Sequence, residues 1–196
     1  MVETAALAEL KAALRVDAAA RRDALAQTER SAAAQAIAGR PFPCPVRATS
    51  IVSGFMPLKS EINPLPLLRR LAQSGAQLAL PVVAGRGKPL IMRSYAIGDQ
   101  LASGPWGIRE PMPDAPEVLP NIVIIPLLAF DRRGNRLGYG AGYFDMTLTA
   151  LRSKKPIIAA GIAFAEQEVA SVPTGPRDAR LDLVLTQHEV IDCRTP

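Results

Sequence analysis

The chain has 196 residues, of which 48% are hydrophobic and 21% charged, and its formal net charge is +5. This length and composition suit one domain with one buried core and disfavour a disordered chain. The basic excess fits an anionic partner such as a nucleotide, a polyanionic metabolite or nucleic acid. Cys44 and Cys193 lie far apart, which argues against a disulfide framework or a CxxC metal site. With no signal-like start and no apolar run long enough to span a bilayer, we expect a cytoplasmic protein without membrane contact.

The first stretch, ETAALAELKAALRVDAAARRDALAQ, predicts a long N-terminal helix. Apolar side chains recur there at the three- and four-residue spacing of one helical face: Leu7, Leu10, Leu14, Ala18 and Leu25. The cations Lys11, Arg15 and Arg22 fall in a narrow band beside this stripe, so we expect them to border whatever the helix packs against. A second, short helix is predicted to start at Thr28 as its N-cap and to stop at Gly39.

Short apolar runs follow and are predicted to be strands: 49–56, 76–83, 90–97, 121–130, 156–164 and 181–186. Several are apolar on both alternations, which indicates burial on both faces, and helix-like segments intervene at 63–75 and 143–152. This alternation predicts an α/β fold. The Pro- and Gly-rich stretch 102–120 is either a functional loop or a surface wrap. We expect one domain over residues 1–196.

One loop carries most of the chemical signal: DRRGNRLGYGAGYFD, residues 131–145. It follows an apolar strand and leads into a helix, the position where α/β sheets bind ligands. Glycines allow backbone N–H groups to approach a phosphate, and the helix that follows adds the positive end of its dipole. Alternatively, Gly134 and Gly138 only build tight turns and Asp145 only favours the first helical turn. The spacing alone leaves both interpretations open.

Charged residues around this loop suit a nucleotide and a divalent cation. Asp145, with Asp178 as a candidate partner, could hold a hard cation that also binds phosphate oxygens, although Asp178 also fits a plain turn. Arg136, Lys11 and Arg15 could donate charge-assisted hydrogen bonds to phosphates. The alternative for Lys11 and Arg15 is a solvated helix face. The one histidine, His188, is expected at the surface near a strand end.

The segment IIPLLAFDRRGNRLGYGAGYFD closely resembles the motif of the 5-formyltetrahydrofolate cyclo-ligase family, also called 5,10-methenyltetrahydrofolate synthetases. Four further segments resemble the family in order and spacing: LKAALR, FMPLKSEINP, PWGIREP and GIAFAEQEVASVPTGPRDARLDLVLT. The resemblance implies a single three-layer α/β/α domain with a mostly parallel sheet, similar to the sugar-isomerase and CoA-transferase group. It also implies the conversion of 5-formyltetrahydrofolate and MgATP to 5,10-methenyltetrahydrofolate, ADP and phosphate, by a protein that we expect to be a monomer.

The resemblance also assigns residues. An ATP site would be lined by Lys11, Arg15, Arg136, Leu137, Gly138, Tyr139, Gly140, Ala141, Gly142, Tyr143 and Phe144. A folate site would include Met56, Glu61, Trp106, Tyr139, Gly140, Ala141, Gly142 and Tyr143. Magnesium would bind at Asp145 and Asp178. Within these sets, the residues closest to the chemistry would be Arg136, Tyr143 and Asp145.

The chain departs from the family pattern at four positions: Ala141, Phe144, Met146 and Arg177. These departures leave open a relative that lacks cyclo-ligase activity. A third possibility keeps the fold with sugar-phosphate isomerase or CoA-transferase chemistry, which needs no ATP. A basic nucleic-acid-binding module is disfavoured, because aromatic residues make up only 5% of the chain and no familiar nucleic-acid-binding motif is present.

Overall fold

The fold is described by a computed structural model covering residues 4–194. Within these residues the α-helices are α1 (Ala5–Asp23), α2 (Gln27–Gly39), α3 (Leu65–Gln73) and α4 (Tyr143–Arg152). The strands are β1 (Ile51–Ser53), β2 (Gln77–Val82), β3 (Ile91–Tyr95), β4 (Leu101–Ser103), β5 (Arg109–Pro111), β6 (Ile122–Pro126), β7 (Ala129–Phe130), β8 (Arg136–Leu137), β9 (Ile158–Ile162), β10 (Leu183–Leu185) and β11 (Val190–Asp192). The predicted strand 121–130 is therefore two strands, because the chain bends after Pro126 into the β7–β8 hairpin.

Seven strands form one sheet in the order β11-β10-β9-β6-β1-β2-β3. The inner five, β10, β9, β6, β1 and β2, run parallel, and β11 and β3 are antiparallel edges. From β1 the chain proceeds through α3 to β2, whereas from β6 it proceeds through α4 to β9 in the opposite direction. The crevice between the carboxyl ends of β1 and β6 is thus the switch point at which α/β sheets bind ligands.

Alternating side chains of the central strands serve two separate cores. Ile122 and Ile124 pack with α2 and α3 on one face of the sheet. Val123 and Ile125 pack with α4 on the other. Helices therefore cover both faces, which is why the strand sequences are apolar on both alternations. The predicted three-layer α/β fold with a mostly parallel sheet is confirmed.

Helix α1 does not lie on either face of the sheet. It packs Ala18 against Leu128, Leu137 and Val172, beyond the carboxyl end of β6. The residues it buries are Lys11, Ala18 and Arg22. The predicted leucine stripe is wrong in part, since Leu10 is 61% exposed. The contact is narrow because the helix rests on the short β7–β8 hairpin and the segment that carries Val172, and the small Ala18 allows the closest approach.

The helix after α1 begins at Gln27, so the predicted N-cap Thr28 is wrong. The N-cap is Ala26, whose N–H donates to Glu29 Oε2 at 2.7 Å. The Glu29 side chain thus satisfies the backbone N–H of the N-cap residue, which is one half of a capping box. His188 lies exposed in the turn between β10 and β11, as predicted.

The two halves of the Pro- and Gly-rich stretch differ in structure. Strands β4 and β5 form a hairpin whose tip carries Trp106, 69% exposed and at φ 57°. Farther on, Pro116 O accepts from Ser94 N at 2.8 Å and Val118 N donates to Met92 O at 2.8 Å. The second half of the stretch therefore wraps the β3 edge, while the first half presents an aromatic side chain toward the carboxyl end of the sheet.

Candidate active site

The glycine-rich loop starts from a rigid turn at its base. Gly134 has φ +84°, and a Cβ there would lie 2.5 Å from Leu181 O, so this glycine is required by a tight turn and close packing. The turn is held by Asp131, which is 1% exposed and accepts from the backbone N–H groups of Arg133, Asn135 and Val172. These bonds join the base of the loop to the segment that leads to Asp178. For Gly134, the turn interpretation is the right one.

The tip of the loop is different, because its glycines border a cation. Gly140 has φ +102°, and a Cβ there would lie 3.2 Å from Arg15 Cζ. The Arg15 Nε donates to Gly138 O at 2.9 Å. Gly142, at φ +71°, is the N-cap of α4. The positive end of the α4 dipole therefore lies beside an arginine and a glycine-rich backbone, which is a favourable setting for a phosphate.

Ala141 fits this tip without strain. Its φ lies outside the left-handed region, which among the non-glycine residues of 4–194 is adopted only by Lys59 and Trp106. The Cβ at this departure from the family pattern therefore costs no backbone energy. Leu137, by contrast, is 2% exposed and packs its side chain in the core beneath α1, so only its main chain could face a ligand. Phe144 packs its half-buried ring toward the core under α4.

Two ion pairs bring the predicted cations and carboxylates together. Lys11 Nζ lies 2.6 Å from Asp178 Oδ2, which also accepts from Gly175 N at 2.6 Å. Arg136 Nη2 lies 2.8 Å from Asp145 Oδ1, which also accepts from Ala179 N at 3.0 Å. Since Asp178 and Ala179 are adjacent, both pairs meet at one point beside the loop.

Arg136 is the most buried member of this group, with its side chain 4% exposed. Burial lowers the pKa of Arg136, and the negative charge of Asp145 offsets part of that effect. A second guanidinium nitrogen, Nη1, donates to Ala179 O. A buried guanidinium fixed by two partners keeps its position before any ligand arrives, which is the preorganisation that charge stabilisation requires.

The donor set suits a hard divalent cation only in company with a ligand that supplies oxygens. In residues 4–194 no three His, Cys, Asp or Glu side chains cluster as a complete metal site. Asp145 and Asp178 each use one oxygen in their ion pairs, Oδ1 and Oδ2 respectively. Magnesium needs few protein carboxylates when phosphate and water complete its coordination, so this pair fits magnesium bound with a nucleotide.

On the other side of the loop, Tyr139 connects to a buried carboxylate from the segment after β1. Glu61 is 9% exposed and its Oε2 accepts from Leu58 N at 2.8 Å. Burial raises the pKa of Glu61, although the Leu58 N–H, Arg22 and Tyr139 act against this. Burial, reinforced by Glu61, raises the pKa of Tyr139 to about 12. The loop thus touches the β1 segment across the switch point between β1 and β6.

Aromatic and apolar side chains also lie on the loop and on the segments next to it. The ring centroids of Trp106 and Tyr143 lie 6.1 Å apart at an interplanar angle of 59°. Met56, half-buried, packs against the core at the carboxyl end of β1. Trp106 thus meets the glycine loop at Tyr143, and Met56 lies on the same segment after β1 as Glu61.

The sequence pattern places Arg22 beside the helical stripe but does not reveal that it meets Tyr139 of the glycine loop. Its Cζ lies 5.7 Å from the Tyr139 ring centroid, and its Nε donates to Ser60 Oγ at 2.9 Å. The signal was available: Lys11, Arg15 and Arg22 share one band of α1. The pattern alone does not show that α1 lies across the end of the sheet.

Comparison with known proteins decides the family. The model of the 5-formyltetrahydrofolate cyclo-ligase family matches residues 8–187. The chain belongs to this family. It is 34% identical over 146 residues to the 5-formyltetrahydrofolate cyclo-ligase of Mycolicibacterium smegmatis, covering 69% of this chain and 72% of the relative. It is 33% identical over 156 residues to that of Escherichia coli K12, covering 74% and 82%.

A solved structure of a similar protein has the same fold. The NMR structure of Aquifex aeolicus 5,10-methenyltetrahydrofolate synthetase superposes with a TM-score of 0.76 at 25% identity, over 95% of this chain and 94% of that one. The resemblance inferred from the sequence is confirmed at the level of the family, and with it the chain is placed among enzymes. No helix in residues 4–194 is long and apolar enough to cross a membrane.

Proposed function

We propose that this chain is a 5-formyltetrahydrofolate cyclo-ligase that uses ATP with Mg²⁺ and releases 5,10-methenyltetrahydrofolate, ADP and phosphate. The single observation that carries the proposal is the position of the glycine loop. One end, at Arg15, Gly138 and Gly140, suits phosphates, and the residue between these glycines, Tyr139, reaches the buried Glu61. One loop can therefore hold a nucleotide and touch a second substrate.

The chemistry explains why both substrates must meet. The oxygen of a formamide leaves poorly as hydroxide, so it must first be activated. In the proposed reaction the formyl oxygen attacks the γ-phosphorus of ATP and ADP departs. N10 then attacks the formyl carbon and loses its proton, the ring closes, and phosphate leaves with the former formyl oxygen. Such phosphoryl transfer needs alignment and charge stabilisation more than covalent help from the protein.

The described residues fit these tasks. Lys11, Arg15 and Arg136 supply positive charge where the transferred phosphoryl group gains negative charge, each charge-assisted hydrogen bond stabilising by roughly 1.5 to 3 kcal/mol. The backbone N–H groups of Gly140 and Gly142 and the α4 N-terminus add fixed dipoles. Glu61 and Tyr139 would hold the pterin edge, and Trp106, Tyr143 and Met56 its faces. No histidine is needed.

Asp145 and Asp178 would hold Mg²⁺. When bound with ATP, the cation would neutralise phosphate charge and shield the carboxylates from the nucleotide. The present partners of these carboxylates, Arg136 and Lys11, lie within 2.8 Å of them. Arg136 would keep its position, and Lys11 would turn toward the phosphates.

The direct test mixes the purified protein with 5-formyltetrahydrofolate and MgATP, and follows the methenyl chromophore together with released phosphate. We expect both products in equal amounts, and neither without ATP. Formation of neither product by a folded protein would overturn the proposed function. Isomerase or CoA-transferase chemistry would leave ATP unused. The monomeric state, the one-domain organisation and the cytoplasmic location stay predictions.

A further inference from the structure

A buried arginine on the folate side of the site has a donor without a partner. Arg22 is 2% exposed, yet its Nη1 has no hydrogen-bond partner within residues 4–194. Leaving a charged N–H group buried and unbonded is unfavourable, so native proteins seldom retain one without a reason. An acceptor brought by a bound molecule would supply that reason.

The orientation of this arginine is fixed by its neighbours. Arg22 Nε donates to Ser60 Oγ at 2.9 Å, and the Ser60 hydroxyl in turn donates to Asp23 Oδ1. These bonds tie the last turn of α1 to the segment after β1. The guanidinium is therefore held from one side, and the unpaired Nη1 belongs to a group that is already positioned.

The same guanidinium faces the residues proposed to bind folate. Its Cζ lies 5.7 Å from the centroid of the Tyr139 ring, and the Tyr139 hydroxyl interacts with both Arg22 and Glu61. Tyr139 is 52% exposed, whereas Arg22 and Glu61 are buried at 2% and 9%. One exposed ring therefore covers a buried carboxylate and a buried guanidinium, and its rotation would open both to a ligand.

We infer that Arg22 is a substrate-contacting residue that donates to the 4-oxo group of the pterin ring while Glu61 accepts from the neighbouring N–H groups. This inference rests on the proposed function. The pterin edge of 5-formyltetrahydrofolate presents a 2-amino group, N3–H and the O4 carbonyl in a row. A carboxylate matches the two donors, and an adjacent guanidinium matches the acceptor. The Tyr139 hydroxyl occupies this pair in the ligand-free protein and is displaced by the pterin.

The test compares the binding of 5-formyltetrahydrofolate and its 4-amino analogue, in which the O4 acceptor becomes a donor and N3 loses its proton, by isothermal titration without ATP. We expect the wild-type protein to prefer the 4-oxo compound by at least about 10-fold, because the analogue mismatches both Arg22 and Glu61. Arg22→Gln should reduce this preference by about 10-fold or more, the range of one charge-assisted hydrogen bond, and raise the KM for 5-formyltetrahydrofolate, with the KM for ATP unchanged. Arg21→Gln is the matched control, because Arg21 lies on the same turn but contacts Asp17 and Glu166 O, and it should retain the preference.

Retention of the full preference by Arg22→Gln would overturn the inference. If circular dichroism shows that this variant is unfolded, the wild-type comparison decides: equal affinity for the two compounds overturns the inference, and a clear preference that Arg22→Lys weakens supports it. A folded wild-type protein that binds neither compound and forms no methenyl product would overturn the proposed function, and the inference with it. Binding and turnover without the preference would overturn the inference alone.

Discussion

Replacing Gly140 by alanine tests whether the contact between the loop tip and Arg15 belongs to the nucleotide site. The backbone there has φ +102°, and the new Cβ would lie 3.2 Å from Arg15 Cζ. The chain offers a matched control in Gly98, which has the same φ of +102° but no atom within 4 Å of its Cβ position. Both substitutions impose the same kind of backbone strain, and only one disturbs the arginine.

The magnitudes follow from these two differences. Strain at such a φ costs about 1 to 3 kcal/mol, so urea unfolding should show a similar loss for Gly98→Ala and Gly140→Ala. Gly140→Ala should lose about 1 kcal/mol more, because Arg15 must give up its 2.9 Å bond to Gly138 O. If Arg15 binds a phosphate, the KM for ATP should rise roughly 10- to 100-fold in Gly140→Ala and stay unchanged in Gly98→Ala.

The assay is methenyl formation at saturating folate and varied MgATP, with unfolding curves measured on the same samples. Equal KM values for ATP in the two variants would refute the reasoning, since the Arg15 contact would then be a packing contact only. A raised KM for folate in Gly140→Ala with the KM for ATP unchanged would refute it as well.

Three further outcomes are expected. Asp145→Asn should lower kcat/KM roughly 100-fold and raise the Mg²⁺ concentration for half activity. It should also lower the melting temperature, because the amide oxygen can still accept from Ala179 N but the buried Arg136 loses its counter-charge. An unchanged rate would show that the carboxylate charge is not used. The folded-state pKa of Glu61 is raised, so its contribution to stability falls as pH rises from about 4.3 through the folded value. Glu61→Gln should therefore keep or increase the free energy of unfolding at pH 7, while the KM for 5-formyltetrahydrofolate rises at least about 10-fold. A destabilised variant with normal KM would contradict this. Burial acts to raise the pKa of Asp131, but hydrogen bonds from Val172, Asn135 and Arg133 outweigh it and lower that pKa. The stabilisation by Asp131 is therefore present above a pH of about 3.9 and is lost as pH falls through the folded value. Asp131→Asn should destabilise the protein by about 2 kcal/mol at pH 7 and flatten this acid dependence, as urea unfolding at several pH values would show.

The central sheet could be predicted because its strands are buried on both faces and so form uninterrupted apolar runs. The ends of helices and strands that are set by tertiary contacts could not be predicted. The kink after Pro126 and the β7–β8 hairpin depend on bonds to Asp131 and on α1, neither of which leaves a local pattern. The short strand β11 was missed because Val190–Asp192 is too brief to show a period.

For the site, the glycine loop and its carboxylates could be predicted because chemistry there requires particular residue types at fixed spacing. The placement of α1 could not, since alanine-rich amphipathic helices pack equally well on a sheet face. That placement explains why Lys11 and Arg22 are buried while Leu10 is exposed. It also determines that Arg22 meets Tyr139, 117 positions farther along the chain, a contact that only the fold reveals.

The most direct measurement of the central claim is an NMR titration of the ¹⁵N-labelled protein with Mg²⁺ and a non-hydrolysable ATP analogue. We predict large shifts for the amides of Gly138, Gly140 and Gly142 and for Ala179, with smaller ones at Glu61 until folate is added. Shifts confined to other parts of the chain, or none at saturating analogue, would contradict the assignment of this loop as the nucleotide phosphate site.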